Sequence, residues 1–321
     1  MRILLTAKHR YPAGGRTSTG LQHTPRSVGG SAFVHDWLAK GLAELGHEVL
    51  YYLPKGADCP LPQGVRLVSE PVDDINILHY YNTHWINGDP SIARATELSK
   101  PWVVTCHADP GPEARPIPPN WIFVSRTLAH CYESTRYVMN GIDPSECIYS
   151  ETKDDYFLFV SNLGQALDKG LLWALQLASE GGFPLVVAGS DDKPESMVRF
   201  AALCRKYGAR FVGDVRGTEK AELFAGARAL LFPTTLNEAF GLVIIEALMS
   251  GSPVIASKNG ACPEVISPDI GYTCTDREEW IHAIEHIGEI APQACRNKAL
   301  RDYHYHRMAA DYVREYEAAV G

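Results

Sequence analysis

The chain has 321 residues, 45% of them hydrophobic and 21% charged, as in a globular protein large enough for two domains. Its formal net charge of −8 argues against nucleic acid or an anionic membrane surface as a partner. The eight cysteines form no CxxC pair and no apolar run reaches the length of a membrane span, so a cytoplasmic protein without zinc or disulfides is expected.

Short apolar runs alternate with segments of helical periodicity in the first half of the chain. The first strand is predicted at Arg2–Thr6, and a loop rich in Gly, Pro, Ser and Thr follows over residues 8–30. A helix is predicted directly after Gly29 and Gly30, with Ser31 as its N-cap. Further strands are predicted at residues 48–53, 65–68, 75–79, 102–106 and 121–125, with a helix at residues 90–98. This alternation predicts a parallel, doubly wound α/β sheet.

A second series of strands and helices begins after a turn cluster at residues 140–144 and a polar segment at residues 150–155. Strands are predicted at residues 156–160, 185–188, 210–212, 229–232 and 254–256. Helices are predicted at residues 170–179, 195–207, 219–226, 239–249 and 277–287. One last helix is predicted over residues 294–319, because Met308, Tyr312 and Tyr316 recur at helical spacing and would form one buried stripe.

Residues 232–266 combine the features of a ligand site. An apolar strand ends at Pro233, a polar turn carries Glu238, and Gly241 lies near the entry of the helix that carries Glu246. The amides of a helix start can bind a phosphate, and carboxylates can accept hydrogen bonds from sugar hydroxyls. The stretch therefore predicts a site for an anion and for hydroxyl groups. The alternative interpretation is a pair of surface glutamates on a capped helix.

A longer motif surrounds the two glutamates. Glu238 and Glu246 are separated by seven residues, with Phe-Gly-Leu at residues 240–242 and Gly-Ser-Pro-Val at residues 251–254. In this context the chain resembles the retaining, family 4-like glycosyltransferases, over nearly its whole length. The resemblance implies the GT-B fold, an α/β architecture of two Rossmann-like doubly wound domains that face each other across a cleft. The turn cluster and polar segment over residues 140–155 mark a domain boundary, which gives domains of residues 1–148 and 149–300 and a C-terminal helix, residues 301–321. The resemblance implies that the first domain is on the acceptor side, that the second binds the nucleotide sugar, and that the last helix packs back on the first domain.

The resemblance also implies which residues contact the donor. Glu238 would contact the transferred sugar close to the reacting centre, and Glu246 would accept hydrogen bonds from the ribose hydroxyls. The amides of Phe240, Gly241 and Leu242 would hold the diphosphate. The other donor-binding residues that the resemblance implies are Gly29, Gly30, Asn162, Lys169, Gly189, Val215 and Ala239. Val215 belongs to the segment that would pack against the base, and the alternative for Gly189 and Val215 is a pair of strand-end turns.

One position departs from the pattern of this family. Lys169-Gly170 matches the Lys that the family carries before a Gly, but Asn162 stands where the family has an Arg. A neutral amide does not replace a bidentate guanidinium on a phosphate. Either another cation compensates, or the donor binds more weakly. The candidate cations are Arg16, Arg26 and Arg126.

Three histidines, His79, His84 and His107, lie at or just beyond the ends of apolar runs. In an open α/β sheet the ligand crevice lies outside the carboxyl ends of the strands. His107 resembles the strand-end histidine that this family places near the sugar, so it joins Glu238 and Lys169 as a catalytic candidate, with His79 second to it. The alternative for each histidine is a structural role.

The leading hypothesis is a retaining hexosyltransferase that moves a sugar from an NDP-sugar, with a UDP-sugar favoured, to a soluble small-molecule or saccharide acceptor through a hydroxyl or an amine. No Asp-x-Asp motif occurs, so neither an obligatory metal nor a cofactor is expected. Two alternatives stay open: a nucleotide-sugar epimerase or hydrolase of the same fold, and a non-catalytic nucleotide-sugar binding protein. The sequence leaves the base, the donor sugar, the acceptor and the oligomeric state undetermined.

Overall fold

The computed structural model describes residues 1–13, 30–83, 89–191 and 193–321. These residues divide into two compact units. The first unit consists of Met1–Asp143 together with Tyr303–Gly321, and the second consists of Pro144–Asp302. The end of the chain therefore belongs to the unit in which the chain begins.

A six-stranded parallel sheet forms the centre of the first unit. Its strands are Arg2–Thr6 (β1), Glu48–Tyr52 (β2), Val65–Val68 (β3), Ile77–Tyr80 (β4), Trp102–Cys106 (β5) and Trp121–Phe123 (β6). They lie in the order β3-β2-β1-β4-β5-β6. The direction in which strands are added reverses between β1 and β4, which pair directly with Leu4 opposite Leu78. A reversal of this kind leaves a crevice at the carboxyl ends of the two strands.

Helices cover the sheet of the first unit. In the described ranges these are Gly30–Glu44 (α1), Pro90–Glu97 (α2), Arg126–Cys131 (α3) and, from the end of the chain, Tyr305–Val320 (α11). Helix α1 packs against α11, and the contact is close at Gly41, where a Cβ would lie 2.8 Å from the Cβ of Ala309. Helix α1 already includes Gly30 and Ser31, so Ser31 is not its N-cap as predicted.

Helix α11 is tied to the sheet by a buried stripe of side chains. Met308, Tyr312 and Tyr316 are all buried, which confirms the periodicity seen in the sequence. The hydroxyl of Tyr316 lies 2.6 Å from Nδ1 of His79 on β4, and that of Tyr312 lies 2.6 Å from Oγ1 of Thr105 on β5. The last helix of the chain is thus part of the core of the first unit.

The predicted single helix over residues 294–319 is wrong. Two helices occur instead, Pro292–Asp302 (α10) and α11, separated by Tyr303 and His304. The break follows from pairing with Ile142, whose amide donates to the Tyr303 carbonyl at 2.8 Å and whose carbonyl accepts from the Tyr305 amide at 3.1 Å. Because neither Gly nor Pro marks the break, helical periodicity gave no sign of it.

The second unit is built on the same plan. Its strands are Phe157–Val160 (β7), Leu185–Ala188 (β8), Arg210–Gly213 (β9), Ala229–Phe232 (β10), Val254–Ser257 (β11) and Gly271–Cys274 (β12). They form a six-stranded parallel sheet in the order β12-β11-β10-β7-β8-β9. This is the order of the first sheet, with β7 in place of β1 and β10 in place of β4. The reversal therefore falls between β7 and β10.

The helices of the second unit complete its core. They are Leu171–Gly181 (α4), Pro194–Lys206 (α5), Gly217–Gly226 (α6), Leu242–Met249 (α7), Cys262–Val265 (α8), Arg277–His286 (α9) and α10. Phe157, Phe159, Leu231 and Ile255 on the central strands are fully buried. The predicted α/β class with two parallel sheets is confirmed. Strand β12 was missed because the run Gly271-Tyr272-Thr273 does not show a continuous apolar pattern.

Candidate functional site

The candidate site lies at the carboxyl ends of β7 and β10, where the strand order of the second sheet reverses. Ligands of open α/β sheets bind in the crevice at such a point. Residues 161–170 follow β7 and residues 233–241 follow β10. Lys169 is in the first of these loops and Glu238 is in the second, so the fold brings together two residues that are far apart in sequence.

A close backbone contact fixes the loop that carries Lys169. The amide of Lys169 donates to the carbonyl of Gln165 at 2.8 Å. The next residue, Gly170, has a φ of +85° and precedes α4, and a Cβ on it would lie 1.9 Å from the carbonyl oxygen of Pro233. Only glycine fits there, since both the φ angle and the contact exclude a side chain. The amide and hydroxyl of Thr235 both donate to the carbonyl of Asp168, at 2.8 and 2.9 Å.

The backbone of Glu238 is held from the other side by the loop after β11. Its carbonyl accepts a hydrogen bond from the Ala261 amide at 2.8 Å. A Cβ on Gly260 would lie 2.3 Å from both the nitrogen and the oxygen of Glu238. In addition, Nδ2 of Asn259 donates to the carbonyl of Thr234 at 2.7 Å. The turn that presents Glu238 is therefore a fixed part of the unit.

Lys169 and Glu238 form an ion pair between Nζ and Oε2. Their side chains are only 18% and 10% exposed, so solvent screens this pair less than a surface pair. Nζ of Lys169 also lies 5.4 Å from the centre of the Phe232 ring. The site thus combines one cation and one carboxylate in partly buried surroundings.

Helix α7 begins shortly after Glu238, at Leu242, which is later than predicted. The predicted start at residue 239 is wrong: Glu238 to Gly241 form a loop, and the helix runs from Leu242 to Met249. Gly241 is the N-cap residue, and its φ of +87° cannot continue a right-handed helix. No side chain caps α7 within the described part of the chain. The start of α7 therefore presents backbone amides and the positive end of the helix dipole.

Glu246 lies on α7 and is paired with a residue that the sequence reading missed. Its Oε1 lies 2.7 Å from Nζ of Lys220 on α6, and the two side chains are 19% and 31% exposed. No motif or periodicity pointed to Lys220, because the pair joins two helices.

Cys262, at the start of α8, is close enough to Glu238 and Lys169 to interact with them electrostatically. Burial and, to a smaller extent, the Glu238 carboxylate raise the pKa of its thiol to about 12, although Lys169 acts in the opposite direction. The thiol is therefore protonated at neutral pH. A protonated, buried thiol is a poor nucleophile, so Cys262 is not the reactive group of this site.

Asn162, which stands in place of the expected Arg, is used as a cap. Its side-chain oxygen accepts a hydrogen bond at 2.8 Å from the amide of Gly164, in the short 3₁₀ turn Leu163–Gln165. The side chain is at the surface of the unit. Of the compensating cations, Arg16 and Arg26 lie outside the described residues. Arg126 begins α3, and its Nε donates to the hydroxyl of Tyr137 at 3.1 Å.

Gly189 and Val215 follow two further strands of the second sheet. Gly189 comes directly after β8, and a Cβ on it would lie 2.2 Å from the carbonyl oxygen of Ser161. Val215 is buried and lies just before α6. Both positions are at the carboxyl edge of the sheet, together with Ala239, which is also buried. Their roles toward a donor stay predictions.

The first unit holds the remaining candidates. His107 directly follows β5 and is half-buried, and Gly30 is the first residue of α1. Gly29 and His84 lie outside the described residues. The roles predicted for His107 and Gly30 stay predictions.

His79 proves to be a core residue. It is fully buried, with Nδ1 2.6 Å from the Tyr316 hydroxyl and Nε2 2.8 Å from Oγ1 of Thr105. Burial, together with the nearby His107, lowers the pKa of its imidazole to about 3. His79 is therefore a neutral hydrogen-bonding residue of the interior, and it does not reach a ligand.

The sequence reading also missed a buried carboxylate near β1. Asp36 on α1 accepts hydrogen bonds from the hydroxyl of Tyr51 at 2.8 Å and from the amide of Ala13 at 2.7 Å. Its Oδ1 also lies 2.7 Å from Nε2 of His9. The contacts fix residues 9–13, which follow β1, against the first helix.

Two further properties of the described residues concern metal binding and membrane insertion. In those ranges no group of three or more His, Cys, Asp or Glu side chains is arranged to hold a metal ion. Among the helices that the structure describes, none combines the length and the apolar character needed to span a membrane.

The second unit matches a known protein family, and known proteins are similar to parts of this chain. Residues 154–289 match the family model of the group 1 glycosyl transferases. The O-antigen chain mannosyltransferase RfbU of Salmonella typhimurium is 27% identical over 194 residues, which are 58% of this chain and 53% of RfbU. The D-rhamnosyltransferase WbpZ of Pseudomonas aeruginosa is 28% identical over 153 residues, which are 44% of this chain and 40% of WbpZ. The alignments thus span about half of these relatives or less.

Solved structures match along the whole chain. AviGT4, a glycosyltransferase involved in Avilamycin A biosynthesis, gives a TM-score of 0.76 at 24% identity, covering 100% of this chain and 98% of that one. Anabaena HepE in complex with UDP gives a TM-score of 0.72 at 15% identity, covering 99% and 100%. These matches confirm the predicted GT-B fold. By sequence, the family match shows that residues 154–289 are similar to the group 1 glycosyl transferases.

Proposed function

We propose that this protein is a retaining glycosyltransferase that moves a hexose from a UDP-sugar to a hydroxyl or amine of a soluble small-molecule or saccharide acceptor. The observation that carries the proposal is the ion pair of Lys169 with Glu238 next to the start of α7. A cation, a carboxylate and helix-start amides in one place match the phosphates and hydroxyls of a nucleotide sugar.

Each group has its own part in donor binding. The diphosphate lies at the start of α7, where the amides of Phe240, Gly241 and Leu242 donate to its oxygens. Lys169 shares its charge between the phosphate and Glu238. Glu238 accepts hydrogen bonds from hydroxyls of the sugar, and Glu246 accepts them from the ribose.

The chemistry is a displacement on one face of the sugar. The bond from C1 to the phosphate oxygen breaks while C1 bonds to the acceptor oxygen or nitrogen on the same face. The departing phosphate oxygen takes the acceptor proton. Negative charge grows on the phosphate as its bond breaks, and Lys169 with the amides at the start of α7 stabilises that charge. No metal or cofactor enters this proposal.

The relatives support the choice of substrate class. RfbU and WbpZ are named for mannosyl and rhamnosyl transfer, which favours a sugar of the hexose type. HepE has been solved with UDP and with UDP-glucose, which favours a uridine nucleotide. The eight cysteines, all within the described residues, form no disulfide, as fits the cytoplasmic location that we propose.

The residue Asn162 favours a second candidate function. Without the expected guanidinium, the chain has one fewer cation for the diphosphate, which favours a nucleotide-sugar binding protein that does not catalyse transfer. A nucleotide-sugar epimerase or hydrolase of the same fold would instead consume the donor without any acceptor.

A product assay separates these functions. The protein is incubated with UDP-sugars, GDP-sugars and ADP-sugars, with and without a panel of sugar and amine acceptors. We expect UDP release that depends on an acceptor, and a product whose anomeric configuration by NMR equals that of the donor. Equal release without acceptor would indicate a hydrolase, and donor loss without nucleotide release an epimerase. An inverted product would contradict the retaining mechanism. Donor binding by calorimetry without turnover would indicate a binding protein.

A further inference from the structure

Lys220 on α6 reaches the carboxylate of Glu246 on α7. We propose that Lys220 is a positioning residue: it orients Glu246 for the ribose hydroxyls of the donor nucleotide and thereby favours ribonucleotides over deoxyribonucleotides. This inference rests on the function proposed above, because it concerns the nucleotide end of the same site.

The geometry of the pair restricts both partners. Nζ of Lys220 lies 2.7 Å from Oε1 of Glu246, and both side chains are mostly shielded from solvent. Nζ also lies 5.7 Å from the centre of the ring of Phe224, a buried residue one turn further along α6. Among the residues that the structure describes, Lys220 is the charged partner of Glu246. The orientation of the carboxylate therefore depends on Lys220.

The position of Lys220 connects the two predicted contacts of the nucleoside. Helix α6 starts just after Val215, the predicted base contact, and α7 carries Glu246, the predicted ribose contact. The nearby Arg216 is bound to Asp214, with Nη2 2.7 Å from Oδ2, so it is engaged elsewhere. Lys220 thus joins the helix that follows the base contact to the helix that binds the ribose.

Hydrogen bonding explains the selectivity. An ionised carboxylate has acceptor sites on both oxygens, and Lys220 uses one of those on Oε1. Oε2 stays available for a ribose hydroxyl, in a direction set by the pair. Without Lys220 the side chain of Glu246 would have to be ordered by the nucleotide itself. An ordering cost for one side chain corresponds to a loss of about three- to tenfold in affinity.

The test is calorimetric binding of UDP, GDP and their 2′-deoxy analogues to purified full-length variants. We expect the wild type to prefer the ribonucleotide, and Lys220→Met to weaken its binding by about three- to tenfold. The affinity for the 2′-deoxy analogue should fall by less, so the preference for the ribonucleotide becomes smaller. The variant Lys220→Arg should retain the preference for the ribonucleotide. In a Glu246→Gln background, Lys220→Met should change affinity by less than about twofold, because the two residues act together.

Lys206→Met is the matched control. Lys206 also lies over an aromatic ring of a neighbouring residue, Tyr207 at 5.6 Å, but on α5 and exposed, so its removal should leave binding unchanged. Melting midpoints without nucleotide establish that every variant is folded. If Lys220→Met has no effect, weakens both nucleotides equally, or acts fully in the Glu246→Gln background, the positioning role is wrong while the proposed function stands. A wild type that binds neither UDP nor GDP overturns both.

Discussion

Lys169 and Glu238 are bonded to each other through their charged ends, although they lie 69 positions apart in the chain. Each sits in a loop whose backbone is fixed by a glycine, Gly170 beside Lys169 and Gly260 against Glu238. The pair lies at the carboxyl ends of β7 and β10, where the strand order reverses. In the proposed mechanism a phosphate at the start of α7 would share Lys169 with Glu238, so donor binding and transfer would both depend on these two side chains.

Replacing Lys169 should weaken the diphosphate contact. We expect Lys169→Met to lower UDP affinity by about ten- to a hundredfold, because a charge-assisted hydrogen bond is lost and Glu238 is left unpaired near the phosphates. Binding of uridine, which lacks phosphates, should be unchanged. Calorimetry with UDP and uridine measures both.

The control for this change is Lys258→Met. Lys258 pairs with Glu279 at 3.3 Å, and both side chains are more than 40% exposed, as their values of 47% and 43% show. Such a surface pair adds little, so UDP affinity should stay unchanged. Equal losses for UDP and uridine in Lys169→Met would contradict the role of Lys169 at the phosphates.

Gly170 should tolerate no side chain. Gly170→Ala places a Cβ 1.9 Å from the Pro233 carbonyl oxygen at a φ of +85°, so we expect a loss of about 2–5 kcal/mol in unfolding free energy. Gly182 closes the same helix with a φ of +67° but has nothing within 4 Å of its Cβ position. Gly182→Ala should therefore cost only about 1–2 kcal/mol. Urea unfolding compares the two, and equal losses would show that the contact with Pro233 is unimportant.

The first unit should become less stable in mild acid, because His79 binds a proton in the unfolded chain more readily than in the folded one. The pKa of His79 is about 3 in the folded protein, below the ordinary value of 6.5, so the unfolded chain binds a proton that the folded chain does not. The stability from the neutral imidazole is complete above pH 6.5 and is lost as the pH falls toward 3. Between pH 7 and 5.5 this loss amounts to about 1 kcal/mol.

The variant His79→Asn isolates this effect, because it keeps a polar side chain but does not titrate. Its unfolding free energy should fall less between pH 7 and 5.5 than that of the wild type, by about 1 kcal/mol. His130→Asn is the control, since His130 is exposed on α3 and its loss should leave the pH dependence unchanged. Parallel curves for His79→Asn and the wild type would contradict the buried neutral imidazole.

The cap formed by Asn162 should contribute to stability, and a negative charge at this position should weaken UDP binding. Asn162→Asp keeps an acceptor for the Gly164 amide, so the melting midpoint should be unchanged, but its charge should weaken UDP binding by about five- to tenfold. Asn162→Ala loses the cap, about 1 kcal/mol, while UDP affinity stays within about twofold. If Asn162→Asp binds UDP as well as the wild type does, residue 162 is remote from the phosphates.

The sequence predicted the fold better than it predicted the site. Apolar runs and turns are local signals, so the parallel strands on either side of Lys169 and Glu238 were placed correctly. The later start of α7 depends on the left-handed conformation of Gly241, which a glycine permits but does not require. The break before α11 depends on pairing with Ile142, which is distant in sequence. Contacts between residues that are distant in sequence produce no periodic pattern in the local sequence.

The same reason explains which candidate residues the sequence could indicate. Glu238 and Glu246 belong to a continuous motif, and their spacing could be read directly. Lys220 was missed because its partner lies on another helix, and nothing in its own surroundings marks it. His79 was overrated because a strand-end position is visible in sequence, whereas burial under Tyr316 of the last helix is not.

In the proposed mechanism, Glu238 contacts the transferred sugar at the reacting centre. The most direct measurement is the transfer rate of Glu238→Gln with donor and acceptor both saturating. We expect the rate to fall by about a hundredfold or more, because a contact made in the transition state is lost. UDP affinity should be equal or higher, because Lys169 is no longer shared with a carboxylate. Full transfer activity in this variant would contradict the account.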